Sequence, residues 1–107
     1  MDTPYTPETL SRADADALPG ATVIEFGANW CSWCQGAQPL IAQAMEGRAG
    51  LRHLKVEDGR GRPLGRSYGV KLWPTLVFLK DGREVARVVR PADGSVLQQA
   101  LDPLELA

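Results

Sequence analysis

Val23-Ile24-Glu25-Phe26-Gly27-Ala28-Asn29-Trp30-Cys31-Ser32-Trp33-Cys34 is the stretch that decides the fold. Its first half, with Thr22 before it, is a β-branched and aromatic run interrupted by one charge, Glu25, and it suits a buried central strand over Ala21 to Ala28. Its second half opens a helical pattern. Leu40, Ile41, Ala44 and Met45 share one face, which predicts a helix from Cys31 to about Arg48 with a kink at Pro39. The chain has only two cysteines, and both fall where strand hands over to helix.

Outward from this stretch the pattern continues to alternate. Thr6-Pro7-Glu8 reads as a helix opening, with Thr6 as cap, Pro7 at the first helical position and Glu8 facing the positive end of the dipole. A first helix over Pro7 to Ala17 is expected, stopped by Pro19-Gly20. Leu51 to Glu57 alternates as a strand. Asp58 to Gly69, with four glycines and Pro63, is expected to be a loop holding a short helix near Leu64 to Tyr68. Thr75 to Lys80 and Glu84 to Arg90 flank Asp81-Gly82, a hairpin signal. A last helix begins at Asp93 or Ser95 and runs to Leu101. These elements describe an α/β fold, one central mixed sheet with helices on both faces. A further strand over Asp2 to Thr6 is weakened by Pro4, and so short or missing.

A C-x-x-C pair at the start of a helix beside a βαβ pattern is a redox signature. Residues three apart on a helix are neighbours, so the two sulfurs can close a small disulfide ring. At the helix N-terminus, unpaired N–H groups and the dipole favour a thiolate on the first cysteine. Cys31 is therefore expected to attack a substrate disulfide and Cys34, one turn deeper, to resolve the mixed disulfide. Glu25 is expected to move the proton for Cys34, its pKa raised by burial in an apolar strand. Lys55, on the following strand, is expected to pair with Glu25. Bland alternatives exist for each residue. A structural zinc site needs four ligands, and only His53 could join the cysteines. A purely structural disulfide would close a tiny loop and add little stability. Glu25 could escape to solvent at a strand end, and Lys55 could be an exposed strand residue.

The 107 residues, 44% of them hydrophobic, suffice for one modest core, and a single domain over residues 1–107 is expected. No apolar run approaches a membrane span. The N-terminus shows neither a basic leader nor an apolar region, which points to the cytoplasm and leaves the periplasm open. A net charge of −1 argues against nucleic acid as main partner. The charge is uneven: residues 48–71 carry seven bases and two acids, read as a solvated loop.

The residues assembled so far resemble the thioredoxin family. The quoted stretch is similar to that family's passage from strand to active site, with a buried acid before Phe and a Trp before the first Cys. Pro39 falls where the family kinks its helix, and Tyr68-Gly69-Val70-Lys71-Leu72-Trp73-Pro74-Thr75 resembles the segment ending in its cis-proline. The resemblance implies a thioredoxin fold and a monomeric thiol-disulfide oxidoreductase. It would exchange disulfides with protein substrates and be recycled by an external thiol reductant or oxidant, without metal or organic cofactor. It implies a cis Pro74 against the two sulfurs, with the Trp73 backbone turned outward to pair with an extended substrate. Trp30, Trp33 and Trp73 would form an aromatic rim, Trp33 as exposed contact and Trp30 mostly as packing. The sequence also departs from the family. Ser32-Trp33 stands where Gly-Pro is usual, which leaves the direction of electron flow open. Glu25 stands for Asp, as in protein disulfide isomerase domains. Gly27 replaces an aromatic, and Arg90 falls near a glycine of the substrate groove. A thioredoxin-like binding module that docks partners without using its cysteines is the alternative.

Overall fold

The structure, a computed structural model, describes residues 3–104. In chain order these form β1 (Thr6–Pro7), α1 (Arg12–Asp16), β2 (Ala21–Gly27), α2 (Ser32–Met45), β3 (Leu51–Glu57), α3 (Pro63–Ser67), β4 (Thr75–Lys80), β5 (Arg83–Val89) and α4 (Gly94–Leu101), closed by a 3₁₀ turn over Asp102–Leu104. The sheet order is β1-β3-β2-β4-β5, with β1 and β2 parallel to β3, and β4 antiparallel to both β2 and β5. This is the expected mixed sheet.

Strand alternation decides which residues of β2 face which helices. Ala21 and Val23 pack with Leu76 and Phe78 of β4 against Ala37, Ile41 and Ala44 of α2 and Leu97 and Leu101 of α4. Ile24 and Phe26 point the other way, toward Ala15, Leu64 and Tyr68 of α1, α3 and its cap. Every residue of β2 is buried, as a central strand covered on both faces requires. By the same period of two, Glu25 shares the face of Val23 and lies under α2. The fold thus drives a carboxyl into the layer beneath the cysteine helix.

Two local expectations are corrected. Thr6 and Pro7 do not open a helix. They form a short edge strand in register with Val56 and Glu57, a position where proline's missing N–H costs little. The helix starts instead at Arg12, where Ser11 Oγ accepts the N–H of Asp14 and the Asp14 carboxylate accepts the N–H of Ser11, a complete capping box. The expected first strand over Asp2 to Thr6 is likewise displaced toward Pro7, and Asp2 lies outside the described residues. The cysteine helix ends at Met45 rather than near Arg48.

The hairpin between β4 and β5 turns on Asp81 and Gly82, with φ of 50° and 80°, the left-handed pair that two-residue hairpins favour. Asp81 also ties the turn to the start of β2: its N–H donates to the Gly20 carbonyl at 2.9 Å and its Oδ1 accepts the Gly20 N–H at 2.7 Å. A side chain at Gly82 would put Cβ 1.8 Å from the Asp16 carbonyl oxygen, whereas one at Gly20, also at positive φ, meets nothing within 4 Å. Gly20→Ala should therefore cost only backbone strain, about 1 kcal/mol. Gly82→Ala should cost about 3 kcal/mol or more, because backbone must move as well. Urea unfolding of the two variants checks this, and equal losses would contradict it.

Candidate active site

Cys31 is the N-cap of α2, and its Sγ accepts the N–H of Cys34 at 3.2 Å. The position follows from the strand-to-helix turn, which leaves Cys31 extended while the next residue is already helical. Both cysteines are free thiols. Cys31 retains slight solvent access, whereas Cys34 is only 1% exposed. Burial, followed by the hydrogen bond that its S–H donates to the Cys31 sulfur, pushes the Cys34 thiol up to about 11. A sulfur with slight solvent access at the cap and a fully buried one a turn deeper are thus the two ends of one helical step.

Beneath Cys34 lies Glu25, with no solvent exposure. Three side chains meet its carboxylate. The Tyr5 hydroxyl donates to Oε2, Gln38 Nε2 donates to the same oxygen at 2.9 Å, and His53 Nε2 lies 2.8 Å from Oε1. Burial by itself would raise the pKa of Glu25. The hydrogen bonds from His53, Tyr5 and Gln38, with the His53 charge, outweigh burial and hold it below the ordinary carboxylate value. The sequence expectation of a raised pKa is thereby overturned, since it counted desolvation and missed the donors.

Lys55 is corrected too. It is the register neighbour of Glu25 across the sheet, yet its ammonium donates to Gln38 Oε1 at 2.6 Å and to the Thr3 carbonyl rather than to Glu25. The Gln38 amide stands between them. Because an ammonium only donates, Lys55 fixes which end of that amide is oxygen and turns Nε2 toward Glu25, Tyr5 and the Cys34 carbonyl.

Tyr5, Gln38 and His53 were missed as site residues. His53 had a signal: it lies two residues before Lys55 on β3 and therefore on the same face. Tyr5 had a fainter one in Gly27. A Cβ at Gly27 would lie 2.6 Å from Tyr5 Cζ and 2.8 Å from Cys34 Sγ, so the missing side chain is what admits the tyrosine ring beside the cysteine. Tyr5 is held there by Asn29, whose Oδ1 accepts the Tyr5 N–H at 2.8 Å and whose Nδ2 donates to the Tyr5 carbonyl at 3.1 Å.

On the open side, the Trp73–Pro74 peptide bond is cis, and Trp73 packs against the cluster of Tyr5, Ala28, Cys31 and Cys34. Trp30 meets Trp73 edge-on at 5.5 Å between centroids, but it is 77% exposed, so it is a surface side chain and not the packing residue expected. Trp33 is 59% exposed, with the Arg90 guanidinium 4.4 Å from its ring centroid. Trp73 Nε1 donates to Asp58 at 2.8 Å, and its carbonyl accepts from Arg90 Nε at 2.9 Å. The Trp73 carbonyl oxygen is therefore already engaged by Arg90.

Known proteins resemble this chain in sequence and fold. The profile of the thioredoxin family matches residues 12–103. The structure of thioredoxin 2 from Pseudomonas aeruginosa in its reduced form superposes with a TM-score of 0.85 at 57% identity, covering 97% of this chain and 96% of that one. Thioredoxin 1 of Nostoc sp. is 31% identical over 83 residues, 75% of this chain and 76% of its own length. The H-type 1 thioredoxin of Nicotiana tabacum is 35% identical over 79 residues, 74% of this chain, and the chain spans 62% of that relative's length. With a five-stranded mixed sheet, a C-x-x-C pair at a helix start and these matches together, the chain belongs to the thioredoxin family.

Proposed function

We propose that the chain exchanges disulfides with protein substrates, Cys31 attacking and Cys34 resolving. The observation that carries this is the placement of the two sulfurs: Cys31 caps α2 with some solvent access, and Cys34 is sealed above a carboxylate. In reduction of a substrate, Cys31 Sγ attacks one sulfur of the disulfide and expels the other as thiolate. Cys34 Sγ then attacks Cys31 Sγ, the mixed S–S bond breaks, and the second substrate thiolate leaves as the Cys31–Cys34 disulfide forms. Glu25, an anion in the reduced state, serves as the base that makes Cys34 reactive. An external dithiol then regenerates the pair.

Trp30, Trp33, Trp73 and Pro74 form the proposed docking surface. A shallow cavity of about 350 Å³ beside it is lined by Ser32, Trp33, Leu40, Arg90 and Pro91. A substrate strand that pairs with Trp73 must share or displace the Arg90 guanidinium, because that group holds the Trp73 carbonyl. Among the described residues no helix is long and apolar enough to cross a membrane. In a reducing compartment such as the cytoplasm the chain would act as a reductant.

Cys34→Ser should accumulate mixed disulfides on Cys31 with protein substrates, identifiable by mass spectrometry, while Cys31→Ser lowers reduction of a model protein disulfide to background. Failure of the wild type to reduce that disulfide, together with an empty trap, would leave only a binding role.

Stability against pH tests the state of Glu25. A folded pKa below the unfolded one means that the unfolded chain binds the proton more tightly, so the contribution is complete above the unfolded value, about 4.3. It is lost as pH falls through the lower folded value. The urea midpoint of the wild type should hold near neutrality and drop below about pH 4.3, and Glu25→Gln should remove part of that drop. A midpoint for Glu25→Gln above that of the wild type at pH 7 would mean a carboxylate that burial disfavours.

A further inference from the structure

We propose that Tyr5 is a catalytic residue of the resolving step, its hydroxyl carrying the proton from Cys34 to Glu25, with His53 linking that carboxylate to solvent. The inference rests on the thiol-disulfide exchange proposed above and adds a path that the cysteine pair and Glu25 do not specify by themselves.

The geometry runs in one line through the layer under α2. The Tyr5 ring fills the space left by Gly27, next to Cys34 Sγ, and its hydroxyl, which donates to Glu25 Oε2, lies near the Cys34 sulfur. Gln38 Nε2, 3.1 Å from the Tyr5 oxygen and 2.9 Å from Glu25 Oε2, holds the two oxygens against each other. On the far oxygen of Glu25, His53 Nε2 stands 2.8 Å away. The His53 side chain is 25% exposed and lines a surface cavity of about 560 Å³ together with Lys55 and Ile41. A buried thiol is thus connected through a phenol and a carboxylate to an imidazole in contact with water.

The titratable groups facing Glu25 come from three elements. Tyr5 stands in the segment before β1, Cys34 on α2, and His53 and Lys55 on β3. The antiparallel neighbour β4 offers only Leu76 in register. Lys55 acts at one remove, through Gln38 and from 4.8 Å off the Tyr5 ring centroid. No other ionisable group is placed between Cys34 and Glu25 by these contacts.

In the resolving step Cys31 is part of the mixed disulfide. It carries no charge there, so the part of the upward shift at Cys34 that comes from Cys31 is gone, while the part from burial stays. The thiol proton passes to the Tyr5 oxygen as the Tyr5 hydrogen passes to Glu25 Oε2. Cys34 Sγ, left with its electron pair, forms the bond to Cys31 Sγ, and the other sulfur of the mixed disulfide departs as thiolate. Tyr5 ends as it began, Glu25 gains one proton, and the buried phenol, which burial and Glu25 push far above the usual tyrosine pKa, never holds a full charge. The proton on Glu25 returns to solvent on the side of His53.

Reduced protein mixed with the aromatic disulfide dithiobis(nitrobenzoate) separates the two chemical steps. The first coloured thiolate reports attack by Cys31, and the second reports resolution by Cys34. Tyr5→Phe keeps the ring and its packing, so circular dichroism should show a retained fold, while the melting temperature falls because the Glu25 carboxylate loses one donor. Its second phase should slow by at least about tenfold relative to its first. Glu25→Gln should slow the same phase, and the double variant should be no slower than the worse single one, because both residues serve one transfer. Asn29→Ala, an exposed position that only clamps the Tyr5 backbone, should slow the second phase by a smaller factor and covers the case in which Tyr5→Phe folds poorly. A second phase in Tyr5→Phe and Asn29→Ala within about twofold of wild type, or losses for Tyr5→Phe and Glu25→Gln that multiply, would overturn the relay. A wild type that releases no second thiolate would instead overturn the exchange function on which it rests.

Discussion

A carboxylate without solvent contact can persist in a protein interior only if hydrogen-bond donors replace the water it has lost. At Glu25 those donors come from separate parts of the chain: Tyr5 from the N-terminal segment, Gln38 from α2 and His53 from β3. Each of them is tied down in turn. Lys55 orients Gln38, Asn29 clamps the Tyr5 backbone, and the parallel register of β2 and β3 sets His53 and Lys55 on the face of Glu25. The cysteine helix, the N-terminal segment and two central strands therefore converge on one charge. Removing one donor leaves the charge in place, so the arrangement couples those elements more tightly than apolar packing would.

The same convergence shapes the chemistry assigned to the cysteines. Cys31 sits at a cap, where local backbone geometry delivers an amide hydrogen to its sulfur. Cys34 lies one turn inward, where burial raises the pKa of its thiol. One helical step thus separates a sulfur with slight solvent access from a fully buried one, which has Tyr5 and Gln38 beneath it. On the open side Trp30, Trp33 and the cis Trp73–Pro74 bond surround the pair, and Arg90, with a positive φ of 50°, bridges Trp33 and the Trp73 carbonyl. This cation is a feature of the present sequence at the rim where a substrate is proposed to lie.

Much of this was legible in the sequence because it is written locally. The apolar run of β2, the helical spacing after Cys34, the Asp81-Gly82 turn and the cysteine spacing each lie within one short window, and each is found where the pattern put it. Thr6-Pro7-Glu8 failed because the same three residues suit a helix start and an edge strand. The deciding contact, with Val56 and Glu57, is about fifty residues away. Glu25 was legible as a buried acid but not in its charge state, since desolvation is visible in a strand's composition and donors from distant elements are not. Tyr5 is the clearest case: nothing around it in the chain marks it, and the space vacated by Gly27 and the clamp of Asn29, both more than twenty residues away, are what place it.

The state of Glu25 is the point on which the account stands. A carbon-detected titration of the Glu25 side-chain carboxyl in the reduced protein, assigned by comparison with Glu25→Gln, reads that state directly. A carboxylate that stays ionised from neutral pH down past the ordinary glutamate value of about 4.3 is the predicted result. A carboxyl that takes up its proton above that value, near neutrality, would contradict it.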